Sequence, residues 1–110
     1  MTRTSTAAVI TDRPARYGKQ LVSHLSRRAG GEWSDEAATG TITFDSGTAT
    51  LTAADGVLEL AVDGDDLDRL EDVVGRHLVR FGSKDELVVS WQRGDGTEGT
   101  QQRNAGDADT

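Results

Sequence analysis

Two histidines, His24 and His77, are the side chains in this sequence best suited to chemistry. Imidazole binds metals and exchanges protons near neutral pH. Helical spacing puts each histidine on the apolar stripe of a predicted helix, because His24 follows Tyr17 by seven residues and His77 follows Val74 by three. If the two helices lie side by side on one sheet face, the rings converge in the groove between them. The alternative is that a backbone carbonyl or a nearby carboxylate satisfies each ring separately.

Arginines near both histidines favour an anion over a metal as the ligand of this groove. A specific divalent site needs three or more protein ligands, whereas Glu71 and Asp72 are expected on or beside the polar face of the second helix. We therefore predict no metal and no cofactor, and instead a polar pocket for a small ligand that carries a carboxylate or phosphate. Its predicted lining comprises Tyr17, Gln20, His24, Arg27, His77 and Arg80.

Catalytic signatures are weak in this chain. The absence of cysteine excludes thiolate nucleophiles, disulfides and cysteine-bound metals. None of the serines lies in a nucleophile elbow, and capping and solvation explain the paired carboxylates. The sequence thus favours a non-catalytic binding or accessory module. The alternatives are a structural homodimerisation domain and, less favoured, an enzyme that uses a histidine as general base.

Composition excludes several classes of protein. The 110 residues, of which 35% are apolar, suit one domain, and no segment is apolar enough for a membrane span. The N-terminus lacks the apolar core of an export signal, so a cytoplasmic protein is expected. A net charge of -7 argues against nucleic-acid binding. Residues 1–31 carry six bases and one acid, while residues 32–72 carry twelve acids and one base.

The first predicted elements are a strand over residues 7–10 and a helix over about 13–29. Asp12 is the expected N-cap and Pro14 suits the first turn, while Gly30 and Gly31 would end the helix. Gly18 inside this helix would allow close approach to the sheet.

From Thr39 onwards apolar residues alternate with polar ones, which predicts antiparallel strands joined by tight hairpins at residues 45–47 and 55–56. A short strand is also expected around Trp33. A second helix over about 66–81 follows, capped by residues 63–66, and a last strand covers 86–92. The fold class is therefore α+β, in the order β-α-β(3 or 4)-α-β, with two helices on one face of an antiparallel sheet.

Residues 1–93 are predicted to form the single domain, followed by a disordered polar tail over 94–110, whose only aliphatic residue type is alanine. The sheet side opposite the helices is rich in threonine, so it stays exposed or pairs with a second subunit. A homodimer or another protein partner is therefore left open.

Three blocks of the sequence resemble a bacterial family known as domain of unknown function 2218: TDRPARYGKQLVSHLSRR, FDSGTATLTA and LEDVVGRHLVRFGSKDELVVSWQR. The resemblance covers about residues 5–93 and implies a small bacterial protein without established activity. Similar domains are sometimes fused to siderophore-interacting ferric reductases, which associates the family with iron handling. Many members carry a second histidine and a cysteine at the positions of Arg27 and Ala49.

The element order is also similar to the C-terminal domain of the phosphohexomutases, which is related to the TATA-binding-protein fold. Those enzymes grip a sugar phosphate with an R-x-S-G-T-E loop between two strands. The corresponding hairpin here lacks both Arg and hydroxyl groups and carries Asp55, which repels phosphate. That function is therefore not expected to transfer.

Overall fold

The computed structural model describes residues 3–26, 30–45, 47–81, 87–94, 96 and 98–103. These residues form an α+β fold, as the sequence predicts. The elements in chain order are β1 (Arg3–Ile10), α1 (Pro14–Leu25), β2 (Gly30–Ser34), β3 (Thr39–Phe44), β4 (Gly47–Ala54), β5 (Val57–Gly64), α2 (Leu67–Phe81), β6 (Val88–Arg93) and β7 (Glu98–Arg103).

All seven described strands belong to one antiparallel sheet in the order β2-β3-β4-β5-β1-β6-β7. Strands β2 to β5 form a meander, and β1 lies between β5 and β6. The N-terminal strand is therefore central, paired along its whole length with β5 from Arg3 opposite Gly64 to Ile10 opposite Val57. The predicted strand around Trp33 is confirmed as β2. The likeness to the TATA-binding-protein fold stays a prediction.

Both helices cover the same face of the sheet, and the core lies between them and the strands. Alternate strand residues are buried on this face, which is the arrangement that the two-residue period predicts. The buried aliphatic side chains come mainly from α1, α2 and five of the described strands, including Val9, Leu21, Ile42, Leu51, Leu60, Leu70, Leu78 and Val89.

Gly18 of α1 allows the close helix-to-sheet contact that the sequence predicts. A Cβ atom at this position would lie 2.8 Å from Cζ3 of Trp33 and 3.2 Å from Cδ1 of Leu58. The indole therefore occupies the space that an alanine methyl would need. Trp33 Nε1 donates a hydrogen bond to Asp35 Oδ1 at 3.0 Å, so its polar end is satisfied outside the core.

The ends of α1 differ from their prediction. Arg13, not Asp12, is the N-cap residue, and it makes no side-chain capping bond. Its own N–H instead donates to Oγ1 of Thr11 at 3.1 Å. The helix ends at Leu25, earlier than the predicted residue 29, and Gly30 and Gly31 belong to β2. By contrast α2 begins as predicted, since Asp66 Oδ1 accepts a bond from the Arg69 N–H at 3.3 Å.

The predicted disorder is wrong for residues 98–103, which form β7 and pair with β6. The sequence offers no apolar alternation here, because the inward side chains are Thr100 and Gln102. They are held by hydrogen bonds to partners far away in the sequence, described below, instead of by burial of aliphatic surface. Residues 104–110 of the predicted tail lie outside the described residues.

Candidate functional site

The two histidines meet, which is one of the two arrangements that the sequence left open. The ring centroids of His24 and His77 lie 5.1 Å apart and the ring planes are inclined by 44°. His24 belongs to the last turn of α1 and is exposed, whereas His77 lies in the second half of α2 and is partly buried. Each helix thus contributes one imidazole to a shared position on the helical face of the domain. We call these two side chains the histidine pair.

A backbone hydrogen bond orients His77. Its Nδ1 atom lies 2.7 Å from the carbonyl oxygen of Val73, one turn earlier in α2. Because a carbonyl oxygen only accepts, Nδ1 must carry the proton of this bond. In neutral His77 the other nitrogen, Nε2, therefore keeps its lone pair. The expected carbonyl partner is thus found for His77, and the ring still retains one nitrogen for a further contact.

The other residues of the predicted pocket differ from one another in their exposure to solvent. Tyr17 is only 7% exposed and belongs to the hydrophobic core. Gln20 and Arg80 are exposed, on α1 and α2 respectively, each three or four residues from a histidine of its own helix. Arg27 lies outside the described residues. That all of these side chains bind one ligand stays a prediction.

Three open cavities are described, and neither histidine lines any of them. The largest, about 540 Å³, lies at the β6–β7 hairpin. A second, of about 290 Å³, lies beside Asp45, Asp63 and Asp65. The third, of about 430 Å³, lies on the face of the sheet that carries no helix. No group of three or more metal-ligating side chains occurs among the described residues.

A buried carboxylate, which the sequence reasoning missed, joins α2 to the C-terminal hairpin. Glu71 has no exposed surface. Arg93 donates to it from Nε, at 3.0 Å from Oε2, and from Nη2, at 3.1 Å from Oε1. Thr100 adds bonds to Oε1 from its N–H at 3.0 Å and from its hydroxyl at 2.8 Å. The expectation that Glu71 lies on or beside the polar face of its helix is wrong.

The hydrogen bonds of Glu71 determine its charge state. Burial by itself would raise the pKa of Glu71, but the bonds from Arg93, Ser5 and Thr100 outweigh burial and lower the pKa below its usual value. Glu71 and Asp68 together raise the pKa of Arg93. Glu71 and Arg93 are therefore both ionised over the physiological pH range.

The same network continues across β7 to the indole of Trp91. Trp91 Nε1 donates to Gln102 Oε1 at 2.6 Å, and Gln102 Nε2 donates to Thr100 Oγ1 at 2.8 Å. The Gln102 side chain passes over Gly75 of α2, where a Cβ atom would collide with its amide. Every buried side-chain nitrogen and oxygen of the described residues has a hydrogen-bond partner. This network therefore fixes β7, and its buried polar atoms are satisfied within the protein.

Comparison with known proteins identifies the family. The model of the family described as "uncharacterized protein conserved in bacteria (DUF2218)" matches residues 6–92. The chain belongs to this family. The DUF2218 match ends one residue before Arg93, so the matched range of this chain contains His24, His77 and Glu71 but not β7. The resemblance noted in the sequence is thereby confirmed.

A solved structure has the same fold as this DUF2218 member. The NMR structure of PA4090 from Pseudomonas aeruginosa matches with a TM-score of 0.65 and 28% sequence identity, covering 82% of this chain and 95% of that one. No curated protein matches. None of the described helices has the length and apolar character needed to cross a membrane.

Proposed function

We propose that this DUF2218 protein is a small, non-catalytic binding or accessory module of the bacterial cytoplasm whose ligand contacts the histidine pair. The observation that carries the proposal is the 5.1 Å separation of the two rings. Two imidazoles from separate helices can contact one small molecule simultaneously, so a ligand would bridge α1 and α2.

The ligand that we propose is a small molecule with a carboxylate or phosphate group. Arg80, which is exposed one turn after His77, supplies a positive charge on the same helix. Arg76, by contrast, already forms an ion pair within the helix, because its Nη2 atom lies 3.7 Å from Asp72 Oδ2. Because Nδ1 of His77 is already used by Val73, His77 can donate to an anion only from a protonated Nε2.

An association with iron uptake is the more specific form of this proposal. It rests on the fusion of similar domains to siderophore-interacting reductases, and the ferric complexes of catecholates and citrate are anionic. Ferric citrate is therefore a suitable probe beside iron-free citrate and phosphate. A response to ferric citrate alone would favour the iron-linked form, whereas equal responses would favour a general anion site.

The test is to titrate the imidazole nitrogens by long-range ¹H–¹⁵N NMR with phosphate, citrate and ferric citrate. The variants His24→Gln and His77→Gln assign the two signals. We expect the signals of both rings to shift with one common saturation curve.

Arg80→Gln should weaken binding about tenfold, as expected for loss of a charge-assisted hydrogen bond. Arg69→Gln removes the same charge from an exposed site earlier in α2 and should change little. Imidazole signals that do not move with any of the three probes would overturn the proposal.

An enzyme that uses His77 as general base is the less favoured alternative. In serine-hydrolase triads a carboxylate accepts a hydrogen bond from the Nδ1–H group and stabilises the imidazolium. Here a neutral carbonyl, that of Val73, takes this place, so protonated His77 gains less stabilisation from its partner. Turnover that disappears in His77→Gln would favour the enzyme over the binding module.

A further inference from the structure

The C-terminal strand β7 (Glu98–Arg103) covers one side of α2, and we call this strand the strap. It is the last strand of the described sheet, so β6 is its single strand neighbour. Its second support is α2, where Thr100 bonds to the carboxylate of Glu71. One turn further along the helix, the Gln102 side chain passes over Gly75. The strap therefore joins the edge of the sheet to one side of the second helix.

A β-bulge turns the strap towards Glu71. Trp91 of β6 stands opposite two strap residues, Gly99 and Thr100, because the pairing register of β6 and β7 shifts at this point. A Cβ atom on Gly99 would lie 2.3 Å from the carbonyl oxygen of Trp91, so this position requires glycine. The N–H of Thr100 points out of the ladder and donates to Glu71 Oε1 at 3.0 Å. A bulge at a sheet edge characteristically redirects the groups of one strand, and here it directs a backbone donor at the helix.

The strap contributes nothing to the hydrophobic core. Its sequence, EGTQQR, contains no aliphatic side chain, and the hydrophobic core of the described residues includes none of its side chains. The bonds of Thr100 and Gln102, together with the ladder to β6, therefore supply its attachment. Because a hydrogen bond within the protein replaces one with water, each of these bonds gives only a small net stabilisation.

The ion pair beneath the strap does not depend on it. Arg93 belongs to β6, and its guanidinium donates to both carboxylate oxygens of Glu71. Removal of the strap would take away the two bonds from Thr100, which water can replace, but not those from Arg93. Glu71 therefore keeps its cationic partner, so the large cost of an unpaired buried charge does not oppose release of the strap.

From these observations we infer that β7 is a releasable strap, which separates from α2 and β6 as one unit while both helices and the other six described strands stay folded. Segments with few buried apolar contacts open with free energies well below that of global unfolding. The part of the chain that matches the family ends at residue 92 and so excludes the strap, which supports this division of the domain.

Release changes the edge of the sheet. In the closed state the edge strand is β7, and the N–H of Thr100 is already used by Glu71. After release the edge strand is β6, with an outer row of unpaired N–H and C=O groups to which another extended segment can pair. The closed strap is thus a cover over a strand-binding edge.

The experiment is native-state hydrogen exchange of the full chain, measured by NMR at urea concentrations below the unfolding transition. The amide of Val9 reports global unfolding, because Val9 is fully buried in β1, which is paired on both sides. We expect the strap amides that bond to α2 or β6 to exchange at least about a hundredfold faster than the Val9 amide, relative to their intrinsic rates. Their rates should change little with urea, since release exposes little surface, whereas the Val9 rate should rise steeply. Equal rates with equal urea dependence would overturn the inference.

Two variants separate release of the strap from global unfolding. Ile42→Val removes one methylene from the buried core, and β3 lies near the opposite edge of the sheet from the strap. It should accelerate exchange at Val9 about fivefold and leave the strap amides unchanged, because release keeps the core intact. Thr100→Val removes the hydroxyl bond to Glu71 and should accelerate the strap amides about tenfold. Thr41→Val, on the exposed surface of β3, is its matched control and should alter neither rate by more than about twofold.

The same two variants can contradict the inference. Acceleration of the strap and Val9 amides by the same factor in Ile42→Val would show that the strap opens only with the whole domain. Strap amides that keep their rates in Thr100→Val would show that this hydroxyl does not attach the strap. Either result would overturn the inference, and neither depends on a ligand of the histidine pair.

Discussion

The carboxylate of Glu71, on α2, accepts two hydrogen bonds from the guanidinium of Arg93, the last residue of β6. The Arg93 side chain is 9% exposed and that of Glu71 is fully buried. Arg93 also donates to Asp68, one turn earlier in the helix. A single arginine therefore ties the second helix to the C-terminal hairpin, and this contact, together with Thr100, decides where β7 lies.

Replacement of Glu71 by Gln should lower the free energy of unfolding by up to about 3–5 kcal/mol, because Arg93 would keep only the exposed Asp68 as an anionic partner. Urea unfolding measures the change. Asp72→Asn is the matched control, since Asp72 is the adjacent carboxylate but is half exposed in its ion pair, and it should cost less than about 1 kcal/mol. Equal losses in the two variants would show that the Glu71 contacts contribute no more than a surface pair.

The contribution of Glu71 should depend on pH with a definite sign. Its pKa is lower in the folded protein than the value of 4.5 for a free glutamate. The stabilisation is therefore complete above about pH 4.5 and is lost as the pH falls through the lower, folded pKa. The stability difference between the unmodified protein and Glu71→Gln should be constant from pH 7 to about 5 and shrink in more acidic solution. A difference that grows on acidification would contradict the lowered pKa.

Gly18→Ala should destabilise the protein although alanine is the better helix former. The added methyl group would collide with the indole of Trp33, and overpacking costs about 1–3 kcal/mol. In a Trp33→Ala background the same substitution should become stabilising, by up to about 1 kcal/mol, because helix propensity is then opposed only by the 3.2 Å approach to the flexible Cδ1 end of Leu58. This double-mutant cycle is measured by thermal or urea unfolding. Destabilisation of equal size in both backgrounds would rule out the contact with Trp33 as its cause.

Ala38→Gly should stabilise the turn between β2 and β3. Ala38 has a φ of 56°, in the left-handed region that favours glycine, so the substitution should gain about 0.5–1 kcal/mol. Ala37→Gly, at the neighbouring turn residue, should instead be neutral or slightly destabilising, since glycine adds entropy to the unfolded chain. Unfolding free energies of the two variants that change in the same direction would contradict this explanation.

Hydrophobic periodicity determined much of this fold from the sequence alone. The alternation after Thr39 predicted β3 to β5 and their buried faces, and the stripe through Leu70, Val74 and Leu78 predicted α2. The inner-stripe positions of His24 and His77 also followed from helical spacing, whereas their convergence depended on both helices packing side by side on one sheet face. The strands, the helix and the inner positions of the histidines follow from local periods of two and 3.6 residues. Such a period can be recognised within one segment, without knowledge of the rest of the chain.

Only the tertiary structure decided the place of β7 and the burial of Glu71. Thr100 and Gln102 look like residues of a solvated tail until Glu71 and Trp91, which lie 29 and 11 residues away, supply their hydrogen bonds. A buried polar group is stable only where partners from other segments satisfy it, and no local pattern encodes those partners. Burial of apolar side chains is a property of the pattern, whereas satisfaction of polar ones is a property of the assembled fold.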